Sequence, residues 1–234
     1  MSWIITGREA GPADPYIGNV SLLLHGDGAN GSTTIIDSSS NVQSVTVVGD
    51  AQISTAIADP FGNTTGVIAF DGVGDGLLGP NDVSYQFGTE DFTVEFWVYM
   101  NSISSDYTFV CRAVSGAFDL FIQYRPSLSQ ALRVNTGTGY SPYVFDWLPL
   151  VNTWHHVAVT RAGENLRGFV DGTQIGSTAS DTGNIIANVP ISIGYNNEAG
   201  SQYLNGYIDD LRITKGIARY TANFTPPTAP FPDI

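Results

Sequence analysis

Short runs in which apolar and polar residues alternate, separated by glycine, proline and asparagine, recur along the whole chain. The clearest run, 92–99, has an apolar residue at every second position, the period of a β-strand with one buried face. Its predicted core residues are Phe92, Val94, Phe96 and Val98. Comparable runs predict strands at 21–24, 45–48, 66–70, 107–113, 118–124, 131–135, 154–161, 166–170, 173–176, 191–194 and 204–216. Many short strands at regular spacing are typical of a β-sandwich.

Turn-forming residues mark the ends of the strands and the limits of the domain. Asp171-Gly172 favours the type I′ turn that joins two antiparallel strands in a hairpin. The segment 225–234 contains four prolines and cannot pair as a central strand. We find no internal repeat. We therefore predict an extended N-terminal arm at 1–18, one β-sandwich at 19–224 and a proline-rich tail at 225–234.

Two adjacent aspartates, Asp209 and Asp210, lie in the middle of the predicted strand 204–216. The two-residue period of a strand places Asp209 on the apolar face with Leu211, and it places Asp210 on the other face with Arg212. A buried carboxylate must be hydrogen-bonded, paired or bound to a metal, because an isolated buried charge costs several kcal/mol. We predict that Asp209 is held in one of these three ways and that Asp210 pairs near Arg212.

The composition supports an all-β protein of one domain. The 234 residues include 26 glycines and 12 prolines, and 42% are hydrophobic, which suits a large core built from short strands. The formal net charge of −13 repels phosphate backbones and anionic lipid surfaces, so nucleic acid is excluded as an expected partner. No stretch reaches 18 apolar residues, so we expect no insertion into a membrane.

Six motifs occur in an order that resembles a known family. They lie at 70–72, 92–98, 154–159, 169–172, 193–194 and 206–213, and the last reads Gly-Tyr-Ile-Asp-Asp-Leu-Arg-Ile. This series is similar to laminin-G-like and pentraxin-like domains of the concanavalin A-like lectin/glucanase superfamily. The resemblance implies a two-sheet antiparallel jelly-roll sandwich. It also implies that the Trp-His-His motif at 154–156 pairs and packs strands and takes no part in catalysis.

The flanking segments resemble a narrower group, the laminin-G-like modules of tailed-bacteriophage virion proteins. The similar stretches are Asp14-Pro15-Tyr16, 20–28 and 218–227. This resemblance implies a protein of the virion surface, either a head decoration or a tail-fibre component, whose arm or tail docks on other virion proteins. Repeated copies on a symmetric particle lead us to expect a homo-oligomer.

The acidic residues do not form the pattern of a glycanase. Related glucanases carry two glutamates and an aspartate along one strand, because retaining hydrolysis needs a nucleophile and an acid/base beside one glycosidic bond. Here the five glutamates are scattered, and the nearest two, Glu90 and Glu95, fall on opposite faces of one strand. We therefore predict a protein without enzymatic activity.

The superfamily resemblance also implies a calcium site. In related glucanases the aspartate of the last core strand binds a structural calcium, and Asp209 has the matching position. Asp27 and Asp71 lie in glycine-rich turns whose backbone carbonyls suit calcium, so we expect them as weaker partners in the site. The alternative is that Asp209 accepts hydrogen bonds from backbone amides or pairs with an arginine.

Three aromatic residues in the loop between 136 and 150 form a predicted sugar platform. Tyr140, Tyr143 and Trp147 can stack on sugar rings, because an aromatic face offers apolar area beside a polar edge. The platform suits adhesion to a host-surface glycan. A stand-alone calcium-dependent carbohydrate-binding module is the alternative function. The alternative structural role of these aromatics is to cover the end of the sandwich core.

Overall fold

The structure is a computed structural model that describes residues 13–114, 117–128, 130–137 and 142–233. Within these residues the chain forms fifteen β-strands and short 3-10 helices at Ile17–Asn19, Val83–Tyr85 and Pro126–Leu128. The strands are β1 Val20–Leu24, β2 Thr46–Val48, β3 Gln52–Ser54, β4 Val67–Asp71, β5 Gly76–Leu78, β6 Phe92–Met100, β7 Tyr107–Val114, β8 Ala117–Tyr124, β9 Ala131–Thr136, β10 Tyr143–Asp146, β11 Trp154–Ala162, β12 Asn165–Val170, β13 Thr173–Ser180, β14 Ser192–Ile193 and β15 Asn205–Lys215.

The strands form two antiparallel sheets that face each other. Sheet A has the order β13-β12-β11-β6-β15-β4-β3, and β1 also pairs with β15. Sheet B has the order β10-β9-β8-β7-β14-β5-β2. This arrangement confirms the predicted all-β, two-sheet antiparallel sandwich. None of the helices in the described part of the chain has the length and apolar character needed to cross a membrane.

The core lies between the two sheets, and the alternation seen in the sequence places residues there. Phe92, Val94, Phe96 and Val98 of β6 are fully buried in the main core cluster, as predicted. The predicted hairpin is also present, since β12 and β13 are joined at Asp171-Gly172 and both turn residues have positive φ. The arm predicted at 1–18 is described only from Ala13 onward, because residues 1–12 lie outside the described residues.

Strand β15 is interrupted at its two aspartates. Its first half pairs with β4 through residues 205–208, and its second half pairs with β1 through residues 211–214 along the same edge. Between the two halves the register with β6 shifts, and Asp210 adopts a left-handed conformation with φ +44°. The β-bulge marks the point at which one edge of β15 changes partner.

The bulge changes which residues of β15 face the core. Ile208, Leu211 and Ile213 all belong to the main core cluster. Ile208 and Leu211 are three positions apart, so the alternation of faces is shifted by one residue between them. Asp209 consequently points to the opposite face, and the prediction that it lies on the apolar face with Leu211 is wrong. The extra residue in the bulge, which a strict period of two cannot anticipate, is the reason.

Asp210, predicted to pair near Arg212, pairs with His25, while Arg212 donates to Glu95 and Asp14. The Nδ1 atom of His25 lies 2.5 Å from Oδ1 of Asp210, and Nε2 of His25 lies 2.9 Å from Oδ1 of Asp233. Burial alone lowers the pKa of His25, but the two carboxylates outweigh burial and raise it. The backbone N–H of Phe231 donates to Oδ2 of Asp210, so the bulge also anchors the end of the chain.

Residues 217–233, which we call the strap, cross the outer face of sheet A. They form no strand, as predicted for the proline-rich part. Thr160 Oγ1 donates to the backbone oxygen of Tyr220 at 2.8 Å, and the backbone N–H of Phe224 donates to Gly172 O at 2.8 Å. The rings of Tyr220 and Phe224 stack on each other. The strap therefore rests on sheet A through specific hydrogen bonds and packed aromatic rings.

A network of buried charges lies beneath the strap. Glu95 of β6 is fully buried, and its cross-strand partner Arg212 donates to Oε1 through Nε at 3.0 Å and Nη2 at 2.8 Å. Tyr220 Oη donates to the other oxygen of Glu95 at 2.8 Å. Asp14 accepts from Arg212 at 2.9 Å and from Arg219 at 2.9 and 2.7 Å. This network joins the segment that leads into β1 to the strap.

The network also decides the ionisation of Glu95. Burial alone raises the pKa of this carboxyl group, but Arg212, His156 and Arg219 outweigh burial and lower the pKa to about 2. The ordinary value for this group is 4.5. The ionised carboxylate therefore stabilises the fold above that value, and the stabilisation is lost as the pH falls toward 2.

We predict that Glu95→Gln lowers the free energy of unfolding by about 3 kcal/mol near neutral pH, because Arg212 then lacks its buried anionic partner. Urea unfolding measured from about pH 5 to about pH 2 should show that wild type loses this stability in acid while the variant does not. Glu90→Gln is the matched control, because Glu90 is exposed. Parallel pH dependence in wild type and Glu95→Gln contradicts the assignment.

Candidate functional site

A row of aromatic side chains lies on the outer face of sheet A, beyond the part covered by the strap. Tyr207 of β15 and Trp154 of β11 are the two cross-strand partners of Tyr99 on β6. The ring centroids of Tyr99 lie 5.7 Å from Tyr207 and 5.5 Å from Trp154, in edge-to-face geometry. All three side chains are half-buried. The pairing register therefore places three partly exposed rings side by side.

A polar cleft of about 340 Å³ opens at the Tyr207 end of this row. Asn205 begins β15 and is the cross-strand partner of Asp71, which ends β4. Asn101 follows β6, and its Nδ2 donates to Oδ1 of Asn205 at 2.9 Å. Besides Ala69 and Phe70, the residues that line the cleft carry carboxylates, carboxamides and one phenol: Asp50, Gln52, Asp71, Asp75, Asn101, Asn205 and Tyr207. No lysine or arginine is among these lining residues.

Three carboxylates meet at the floor of the cleft. Asp50, Asp71 and Asp75 each offer an oxygen within 4.8 Å of the others. Asp75 is buried, and its two oxygens accept from the backbone N–H of Asp50 at 2.8 Å and of Asp71 at 3.0 Å. Burial and the Asp71 carboxylate raise the pKa of Asp75 even though these hydrogen bonds oppose the increase. An all-oxygen group of this kind has the chemistry of a hard cation site such as that of calcium.

Among the described residues, the three aspartates predicted as metal ligands do not form one group of three ligating side chains. Asp71 joins the group in the cleft, while Asp27 is exposed in the turn after β1. Asp209 is fully buried at the bulge, where a Cβ on Gly26 would lie 2.8 Å from its Oδ1. Within the described ranges, the group in the cleft is the only set of three possible metal-ligating side chains. The sequence did not predict Asp50, which follows Gly49 in a turn after β2.

The aromatic residues predicted as a sugar platform occupy different places. Tyr140 lies outside the described residues. Tyr143 is half-buried, and its hydroxyl donates to Ser180 O at 3.0 Å. Trp147 is only 7% exposed and packs against the rings of Phe109, Tyr124 and His155. Trp147 therefore covers the end of the core, which is the alternative role stated for these aromatics, and it offers no open ring face.

The aromatic row itself was missed because its members come from distant parts of the sequence. One signal was available: in the run 92–99, Trp97 and Tyr99 occupy positions that face away from the core, where a polar residue is usual. Trp154 and Tyr207 have the same outward orientation in their strands. A group of aromatic residues on the outward face of a sheet thus indicates an interaction surface.

Glu95, His155 and His156 of sheet A are engaged in structural contacts. The carboxylate of Glu95 lies under the strap with Arg212 and Tyr220, and Nε2 of the fully buried His156 lies 3.4 Å from it. His155 Nδ1 lies 2.8 Å from Oδ2 of Asp171, beside the hairpin. These placements agree with the structural role that the resemblance implies for the motif at 154–156.

Comparison with protein families gives one match. A family model of the laminin G type, described as the concanavalin A-like lectin/glucanases superfamily, matches residues 71–218. This span contains the last residue of β4 and all of β5 to β15, and it includes Asp71, Tyr99, Trp154 and Tyr207. No curated protein matches the chain.

Solved structures with a similar fold include toxin binding domains. The binding domain of Paraclostridial Mosquitocidal Protein 1 has a TM-score of 0.65 and 17% identity, covering 86% of this chain and 49% of that chain. The receptor binding domain of botulinum neurotoxin D has a TM-score of 0.62 and 18% identity, covering 87% and 51%. The binding domain of botulinum neurotoxin DC, solved in complex with rat synaptotagmin II, has a TM-score of 0.61 and 17% identity, covering 86% and 49%. The chain spans about half the length of these structures, and at this identity the likeness concerns the fold alone.

Proposed function

The chain belongs to the concanavalin A-like lectin/glucanases superfamily, and we propose that it is a non-enzymatic binding protein that attaches to a surface glycan through sheet A. The observation that carries this proposal is the partly exposed aromatic row of Tyr207, Tyr99 and Trp154, which leads into a polar cleft. A fold of this kind also serves as a binding domain in toxins whose structures are similar. The superfamily alone does not define a ligand, because one scaffold carries many functions.

The chemistry of the row and the cleft suits a sugar. Aromatic rings cover the apolar face of a pyranose ring, while hydroxyl groups need donors and acceptors at fixed positions. Asn101 and Asn205 supply carboxamides, and Asp50 and Asp71 supply acceptors within the same cleft. Because the lining contains no lysine or arginine, a neutral sugar suits it better than an acidic one.

The proposed setting is the surface of a bacteriophage particle, as a head decoration or a tail-fibre component. Resemblance of the flanking segments to virion modules supports this setting, and Asp14 and Arg219, one residue from each of these segments, pair directly with each other. In this setting the glycan belongs to the host surface, and other virion proteins and further copies of the chain are the protein partners. The alternative is a carbohydrate-binding module that acts alone. Mass spectrometry of purified particles separates the two roles.

We predict that the purified chain binds a subset of glycans on an array and that Tyr207→Ala weakens this binding about tenfold, because it removes one stacking ring. Tyr143→Ala is the matched comparison, since Tyr143 belongs to the platform predicted from sequence and is also half-buried. Loss of binding in Tyr143→Ala but not in Tyr207→Ala places the ligand at the loop instead. Binding to no glycan contradicts the proposed ligand class.

We also propose that calcium is a structural cofactor, held by Asp50, Asp71 and Asp75. When bound, the ion neutralises three carboxylates that otherwise repel one another at the floor of the cleft. Of the three ligands predicted from the sequence, the proposed site contains Asp71, and it has Asp50 and Asp75 in place of Asp27 and Asp209. The distinction matters because Asp209 lies at the bulge of β15 and not in the cleft.

We predict that a chelator lowers the melting temperature of wild type by about 5 °C and that added calcium restores it, because the ion binds only the folded chain. Asp71→Asn should remove this response, while Asp27→Asn, an exposed control, should retain it. A response that survives in Asp71→Asn and is lost in Asp209→Asn assigns the ion to the bulge. If exhaustively dialysed wild type contains no calcium and ignores the chelator, the cofactor proposal fails.

A further inference from the structure

One edge of sheet B carries an extended segment that is apolar on both sides. Residues 143–150 comprise β10 and the four residues after it, and buried and exposed positions alternate along them. The buried positions are Phe145, Trp147 and Pro149. The exposed positions, which we call the outward stripe, are Val144, Asp146, Leu148 and Leu150. Six residue steps of extended chain make this stripe roughly 20 Å long.

The outward stripe departs from the usual composition of an exposed edge. Val144 is 44% exposed, Leu148 is 61% exposed and Leu150 is 66% exposed. The outer side of an edge strand is normally polar, because exposed apolar side chains there favour unwanted association. A cluster of exposed aliphatic residues of this kind marks an interaction surface.

The backbone that carries the stripe is held in place. Trp147 is packed into the core, and its backbone N–H donates to Gln130 O at 3.2 Å. The backbone N–H of Leu150 donates to Nε2 of His155 at 3.2 Å. Just beyond the stripe, the backbone N–H of Asn152 donates to Met100 O at 2.9 Å. A partner therefore meets a pre-ordered surface, which lowers the entropic cost of association.

The charge on this face decides between possible partners. Asp146 is its acid, and Arg133 of β9, the cross-strand partner of Val144, is a half-exposed base on the same face. The face is therefore locally balanced, whereas the whole chain has a net charge of −13. An anionic membrane favours a basic face and a basic protein favours an acidic one. A balanced, aliphatic face is complementary to another copy of itself.

We propose that the outward stripe is the contact between two copies of this chain, with Leu148 and Leu150 of each copy covered by the other. A two-fold contact requires one patch to complement itself, and a stripe of aliphatic residues flanked by one acid and one base meets this requirement. The inference deepens the proposed homo-oligomer by naming its surface. It is tested on the purified chain, so its failure leaves glycan binding and the virion setting untouched.

The stripe is shorter than a permanent interface requires, so the association is weak and reversible. Sedimentation velocity of the full chain in about 0.15 M salt, from about 1 to about 200 µM, should show the mass rising from monomer toward dimer. Leu148→Ser combined with Leu150→Ser should raise the dissociation constant at least tenfold. Val42→Ser combined with Val73→Ser is the matched control, because these side chains are 75% and 76% exposed elsewhere.

A second pair of variants tests the role of charge. Arg133→Asp leaves two acids on the face and should weaken association about tenfold, while Arg167→Asp makes the same change in net charge on β12 and should not. Unchanged thermal unfolding shows that each variant is folded. A wild type that stays monomeric, a double serine variant that associates as wild type does, or equal effects of the two arginine variants would each overturn the proposal.

Discussion

A buried carboxylate needs hydrogen-bond donors or cationic partners, and the ion pairs that hold Glu95 organise the outer face of sheet A. Its cross-strand partner Arg212 supplies the first cation, and Asp14 then balances Arg212 and brings in Arg219. Each group would be costly without the next, because breaking a buried ion pair leaves an uncompensated charge. The segment before β1 and the strap therefore become part of the sandwich, although neither belongs to a sheet. The strap in turn covers the part of the outer face of sheet A around Glu95, while Tyr99 and Tyr207 lie beyond it and are half-buried.

The bulge in β15 is the second constraint, and it connects topology with chemistry. One edge of β15 serves β4 along its first half and β1 along its second, so the strand needs an irregularity between them. The two aspartates occupy this irregularity. Asp210 adopts the left-handed backbone conformation of the bulge, pairs with His25 and accepts a hydrogen bond from Phe231 of the strap. Asp209 lies against Gly26, two residues after the end of β1. In β15 the two adjacent acids therefore mark the position at which the strand changes its partner from β4 to β1.

The sequence predicted the sandwich well because its signals are local or depend on order. Alternation in 92–99, the Asp171-Gly172 hairpin and the series of six motifs each fix structure without knowledge of distant contacts. The faces of β15 and the functional surface could not be derived in this way. An inserted bulge residue reverses the facing of every residue after it, and the row of Tyr207, Tyr99 and Trp154 exists only once three strands are aligned. Trp147 is predicted at a ligand surface but is buried in the core. The local sequence around an aromatic residue in a loop is the same in both cases, so it cannot distinguish a ligand-binding ring from a core ring.

The pairing of Asp14 with Arg219 has a mechanical consequence. A pull that separates these two positions acts on their salt bridge and on the β1–β15 ladder, because Val20 of β1 pairs with Thr214 of β15 near both positions. The Asp14–Arg219 salt bridge therefore shares such a load with the β1–β15 ladder, which ends at Leu211, four residues beyond Tyr207 of the aromatic row. A load on the two flanks thus meets the salt bridge and this ladder before it meets the β6–β11 pairing that holds Tyr99 beside Trp154.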